Sequence, residues 1–174
     1  MSKTLEDLMA AFAGESQANR KYLAYAKKAD QEGLPQVAKL FRAAAEAETI
    51  HAHAHLRNAK KIGTTAENLQ DALAGETYEF TKMYPEMIKD VEAEGEKAIA
   101  QYMGFVNEVE EVHANLYKKA IADPAGLPAV DYYICPVCGY THEGPLPEPA
   151  PCGRPPAKAF TRGAYKNPRG AWPR

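Results

Sequence analysis

Residues 46–57 read EAETIHAHAHLR, with His51, His53 and His55 at alternate positions and Glu46 and Glu48 just ahead of them. Alternation is the mark of a strand, but the alanine-rich surroundings favour a helix. On a helix the three rings separate. His51 sits three residues after Glu48, about 60° round and about 4.5 Å along the axis, so the two side chains reach one point. His53 falls about 200° from His51, on the opposite face, where solvent is expected. His55 is about 40° round and a turn further on, a core or supporting position. Glu48 and His51 form the pair to follow.

The pair has a counterpart. ETIH (48–51) returns as EEVH (110–113), an offset of 62 that aligns Glu48 with Glu110 and His51 with His113. AFAGES (11–16) returns as ALAGET (72–77), an offset of 61 that aligns Glu15 with Glu76. Each half of the repeat therefore supplies a lone Glu and a Glu-x-x-His.

Breaks at EGLP (32–35), IGTT (62–65) and EAEG (92–95) divide residues 1–122 into four helical stretches. Each carries an apolar stripe at heptad-like spacing. The stripes are Leu5, Leu8, Phe12, Glu15, Tyr22, then Val37, Phe41, Ala44, Glu48, His51, His55. The second half offers Leu69, Glu76, Phe80, Met83, Met87, then Ile99, Met103, Val106, Glu110, His113, Tyr117. Every stripe has a glutamate where leucine is expected. A buried, unpaired carboxylate costs several kcal/mol, on the order of half a domain's net stability. Four at matched depths demand a common partner. Oxygen donors with imidazole suit iron or manganese better than a thiolate-seeking metal. A Glu from each of two helices and Glu-x-x-His from each of the others is the ligand set of di-iron carboxylate bundles. Glu79, one turn after Glu76, answers to Ala18 in the first half and adds a fifth carboxylate, making the two metal positions inequivalent.

Composition bounds the rest. A net charge of −2 and a pI near 6.2 give no basis for nucleic-acid binding. No apolar run approaches the roughly 18 residues of a membrane span. The start, MSKTLEDLMAAF, has no charged-then-apolar leader layout. Residues 123–174 hold eleven of the thirteen prolines and all three cysteines. We expect a helical domain at 1–122, a linker at 123–131 and a small loop- and β-rich domain at 132–174. Cys135-x-x-Cys138 with Cys152 reads as a metal knuckle in a reducing, cytoplasmic chain.

FAGESQANRKY (12–22), ETIHAHAH (48–55), AGETYEFTKMYPEM (74–87) and EEVHANLY (110–117), followed by CPVCGYTHEG (135–144) and CGRPPAKAF (152–160), resemble the rubrerythrin family over almost the whole chain. The resemblance implies an all-α, ferritin-like four-helix bundle followed by a rubredoxin-like module. It also implies reduction of hydrogen peroxide to water at two irons, with electrons from a redox partner, in oxidative-stress defence. Carried over by motif, Glu48 and Glu110 bridge the irons, Glu15 holds one, and Glu76 with His113 the other. The family's first iron exchanges a glutamate for a histidine on reduction, here Glu79 for His51. Tyr22 and Tyr84 match tyrosines that orient the carboxylates. An alternative on the same bundle is a ferroxidase or iron-handling protein; a bundle binding metal only for stability is another.

Two departures matter. Rubredoxin-type iron sites use two C-x-x-C pairs, but PAPC (149–152) has Pro149 where the first cysteine of the second pair belongs. Cys135, Cys138 and Cys152 are left to hold a further iron or zinc with water or His142, or no metal. The connection between the second and third helices is also short. Parallel helices with Glu48 and Glu76 at one depth need a link of roughly 34 Å, and residues 62–66 extend to about 18 Å. A domain-swapped homodimer is expected, the first two helices of one chain completing the site with the last two of another.

Overall fold

The structure, a computed structural model, describes residues 2–163. The end of the expected 132–174 domain, residues 164–174, lies outside them. The chain divides after Thr64 into two compact units.

The first unit is a helical hairpin of α1 (Lys3–Gln31) and α2 (Pro35–Asn58). Ser2 caps α1, its hydroxyl accepting from the Leu5 N–H at 3.3 Å. Pro35 opens α2 at a position whose N–H has no helical partner to lose. Between them Gly33, at φ 72°, ends α1 while the Leu34 N–H reaches back to the Ala29 carbonyl, the six-to-one bond of a Schellman turn. The helices meet on alanine: Ala26 and Ala29 of α1, and Ala38, Ala45 and Ala52 of α2, are the buried residues. With Ala59 the α2 series recurs every seventh residue, as a helix seam requires. Asn19 Nδ2 fastens the hairpin, donating to the Ala45 carbonyl at 2.6 Å and to Thr49 Oγ1 at 2.8 Å.

The second unit holds α3 (Thr65–Tyr78), a π-helical segment (Glu79–Met83), α4 (Tyr84–Ala93) and α5 (Lys97–Ala122). Strands β1 (Tyr132–Ile134), β2 (Thr141–Glu143) and β3 (Thr161–Arg162) follow. They form an antiparallel sheet in the order β2-β1-β3, with Tyr133 opposite both His142 and Arg162. Cys135, Cys138, Ala150, Ala157 and Phe160 share one buried cluster with Val109 of α5. Arg154 strengthens that seating: its guanidinium lies 3.8 Å from the Phe105 ring centre and donates to Glu108 at 2.8 Å. Among the described residues no helix is long and apolar enough to cross a membrane.

The third helical stretch of the sequence is thus not one continuous α-helix. Pro85 lacks the N–H that would return to Thr81, and its ring would crowd that carbonyl. The backbone loosens one turn earlier, the Tyr84 N–H bonding to the Glu79 carbonyl five residues back. This accounts for the change of offset in the repeat. Glu15 to the end of α1 at Gln31 is one residue shorter than Glu76 to the end of α4 at Ala93. The hairpin loops are equally long, residues 32–34 and 94–96. The additional residue is therefore housed within 76–93, where the π segment lies.

Candidate metal centre

Each unit gathers three of the predicted donors. In the first, donor atoms of Glu15, Glu48 and His51 lie within 4.8 Å of one another. His51 Nδ1 stands 2.9 Å from Glu48 Oε2, the reach expected of an i, i+3 pair. In the second, Glu76, Glu110 and His113 converge within the same limit. His113 Nδ1 is 2.8 Å from Glu110 Oε2 and 3.7 Å from Glu76 Oε2. The two clusters are related by the sequence repeat, and in each the histidine Nδ1 faces Oε2 of the glutamate three residues earlier.

Their settings differ. Glu110 is buried, at 9% exposure, and His113 half-buried. His51 is open, with 54% of its side chain exposed. His53 is half-buried rather than fully solvated, and so is His55.

Glu79, the first residue of the π segment, is half-buried and stands outside the second cluster. Burial pushes its carboxyl above the usual range, and neighbouring Glu76 adds repulsion. Glu76 is raised by burial too, with His113 pulling the other way and Glu110 reinforcing the rise. Both carboxyls thus report an acidic pocket that a cation would relieve. Tyr84 is raised by burial and then by Glu110 and Glu79, which puts its phenol within the field of both. The Tyr22 ring is half-buried against Phe41, 6.2 Å between centroids, and Tyr25.

Two residues escaped the sequence reading. Tyr117 is raised by burial and by Glu76, and with Glu76, His113 and Thr141 it lines a cavity of about 340 Å³. Thr141 of β2 places its hydroxyl 3.0 Å from His113 Nε2. Tyr117 lies on the predicted stripe of α5, so its periodicity was a usable signal. Thr141 has none, because only the seating of the strands on α5 brings it there.

The donor chemistry suits iron: carboxylates with imidazole in two like sets, hard and intermediate donors with no thiolate among them. The thiols form their own group, Cys135, Cys138 and Cys152, also within 4.8 Å. Cys135 and Cys138 are buried, and Cys152 Sγ lies 3.7 Å from Cys135 Sγ. Burial raises the Cys135 thiol, but the backbone N–H groups of Cys138 and Val137 outweigh it and hold the thiol below its ordinary value. Burial pushes Cys138 up, and the Arg154 guanidinium stands 3.5 Å from its sulfur. Such N–H···S contacts favour a thiolate ready for a metal. His142 is not drawn in; its Nε2 stands 3.1 Å from the Pro145 carbonyl.

Comparison with known proteins agrees with this arrangement. The rubrerythrin family model matches residues 6–121. Nigerythrin of Nitratidesulfovibrio vulgaris is 36% identical, covering 89% of this chain and 84% of its own. A putative rubrerythrin of Methanocaldococcus jannaschii is 32% identical over 92% of both. The solved structure of fully reduced, all-ferrous nigerythrin superposes with a TM-score of 0.57 at 33% identity, covering 94% of this chain and 88% of that one. The fold is therefore ferritin-like with a rubredoxin-like module, carrying the donors of a di-iron site and a cysteine cluster for a further iron. The chain belongs to the rubrerythrin family, di-iron proteins of oxidative-stress defence.

Proposed function

We propose that the protein is a peroxidase, reducing hydrogen peroxide to water with electrons from a redox partner. The observation that carries the reading is the pair of matched Glu, Glu, His clusters, one in each unit. Glu15, Glu48 and His51 would hold metal from one side, and Glu76, Glu110 and His113 from the other, with Glu79 one turn away as an additional donor. Bound there, a pair of ferrous ions would supply the two electrons that, with two protons, take the O–O bond of hydrogen peroxide to water without releasing a radical. The carboxylates offset the cations' charge, and Tyr84 and Tyr22 bear on how those carboxylates lie. Cys135, Cys138 and Cys152 would hold the further iron through three thiolates, Pro149 standing in the sequence where a second C-x-x-C pair would supply a fourth.

The site is assembled from two chains. From Glu48 to the end of α2 at Asn58, and from the start of α3 at Thr65 to Glu76, the helices rise about 32 Å in all. The intervening residues 59–64 span at most about 24 Å. Parallel helices bearing Glu48 and Glu76 at one depth cannot then belong to a single chain, which favours a domain-swapped homodimer in the cytoplasm. The 1–122 helices would serve as the catalytic domain, and 132–174, joined to them through the 123–131 linker, would pass electrons on to the iron pair.

The test is anaerobic. Ferrous-loaded protein given one equivalent of peroxide per iron pair is expected to be oxidised rapidly with no protein damage, and to turn over steadily when a donor is supplied. Slow oxidation by peroxide with rapid oxygen-driven iron uptake would instead identify an iron-handling protein.

A further inference from the structure

Thr141 Oγ1 has two polar neighbours of different kinds. It stands 3.2 Å from the Gly139 carbonyl oxygen and 3.0 Å from His113 Nε2. A hydroxyl has one proton to give, and a carbonyl can only accept. The proton therefore goes to Gly139, and Thr141 must accept from the imidazole. His113 Nε2 then keeps a ring hydrogen, so that Nδ1, which faces the carboxylates of Glu110 and Glu76, is the nitrogen left to give up its hydrogen to a cation.

We propose that Thr141 is a positioning residue for the metal centre: it selects the tautomer and ring orientation in which His113 ligates through Nδ1. The inference rests on the reading of His113 as a ligand. It adds a partner from the cysteine module, since Thr141 lies three residues after Cys138 and is held over α5 by the seating of β2, with Lys119 paired to Glu143. The counterpart histidine, His51, is exposed. A hydrogen-bonded ring nitrogen opposite the metal commonly changes affinity by about 10- to 100-fold when its partner is removed.

The experiment uses the full chain with 15N-labelled histidine and Zn(II) as a diamagnetic probe. In wild-type protein the His113 signals are expected to show a proton on Nε2 and a zinc-shifted Nδ1. Thr141→Val, which keeps the branched shape of a strand residue, should weaken zinc at His113 at least tenfold, and Thr141→Ser should restore it. A proton on Nδ1, or equal affinity in wild type, Thr141→Val and Thr141→Ser, overturns the inference and leaves the metal centre standing. Zinc that never perturbs, in the wild type, the imidazole signals that His113→Ala lacks overturns both.

Discussion

Glu110 is 9% exposed and lies against His113, with Glu76 sharing the same imidazole nitrogen. The two carboxylates crowded so closely repel each other without a cation, so the protein's response to metal should be largest at this residue. Glu110→Ala is expected to abolish the rise in Tm that iron produces while leaving the metal-free protein folded, as thermal melts with and without metal would read. Acid should act on the same group of side chains. Burial raises Glu76 and Glu79. A carboxyl raised in the folded state favours the fold below its unfolded pKa and loses that contribution as pH climbs through the folded value. The metal-free protein should therefore gain stability as pH falls from neutrality toward the usual carboxylate range. Metal-loaded protein should show the opposite slope there, because protons displace the cation. Parallel slopes in the two melts would refute this account.

Among the elements, α1, α2 and α4 end on the same kind of turn, with a different residue at one of the three. Gly33 and Gly95 both take positive φ where a hairpin turns, and the N–H after each reaches five residues back. At the end of α2 the same turn falls on Lys60, at φ 55°, with the Lys61 N–H bonded to the Leu56 carbonyl. A side chain there is disfavoured, by about 1 kcal/mol relative to glycine. Lys60→Gly is expected to raise the unfolding free energy by up to about 1 kcal/mol in a denaturant melt, the gain trimmed by glycine's greater freedom when unfolded. Four helical stretches and the two Glu-x-x-His pairs were legible because each leaves a periodic trace in a single segment. The π segment left a fainter one, an in-helix proline and a repeat offset that moves from 61 to 62. Local propensity does not distinguish a five-residue from a four-residue hydrogen bond, so that trace needed coordinates to be understood. The contact between Thr141 and His113, and the alliance of Arg154 with Phe105 and Glu108, join segments 28 and 46 residues apart in sequence and leave no local pattern at all.

At the scale of the whole molecule, the proposed swapped dimer predicts how damaged chains should help each other. Mixing Glu48→Ala and Glu110→Ala proteins under subunit exchange should give heterodimers with one intact and one doubly defective site. Peroxide turnover of an equal mixture should then climb to about one quarter of wild type, and no recovery after exchange would count against swapping. The added residue between Glu76 and Ala93 has its own consequence for descent and design. Two copies of one ancestral hairpin would face each other as equals, and neither cation could be told from its neighbour. Lengthening a single copy ends that interchangeability. Removing one amino acid from 79–83 together with Pro85→Ala should rewind the π turn into a regular α-helix, and the shortened chain would be a laboratory approach to the symmetric forebear.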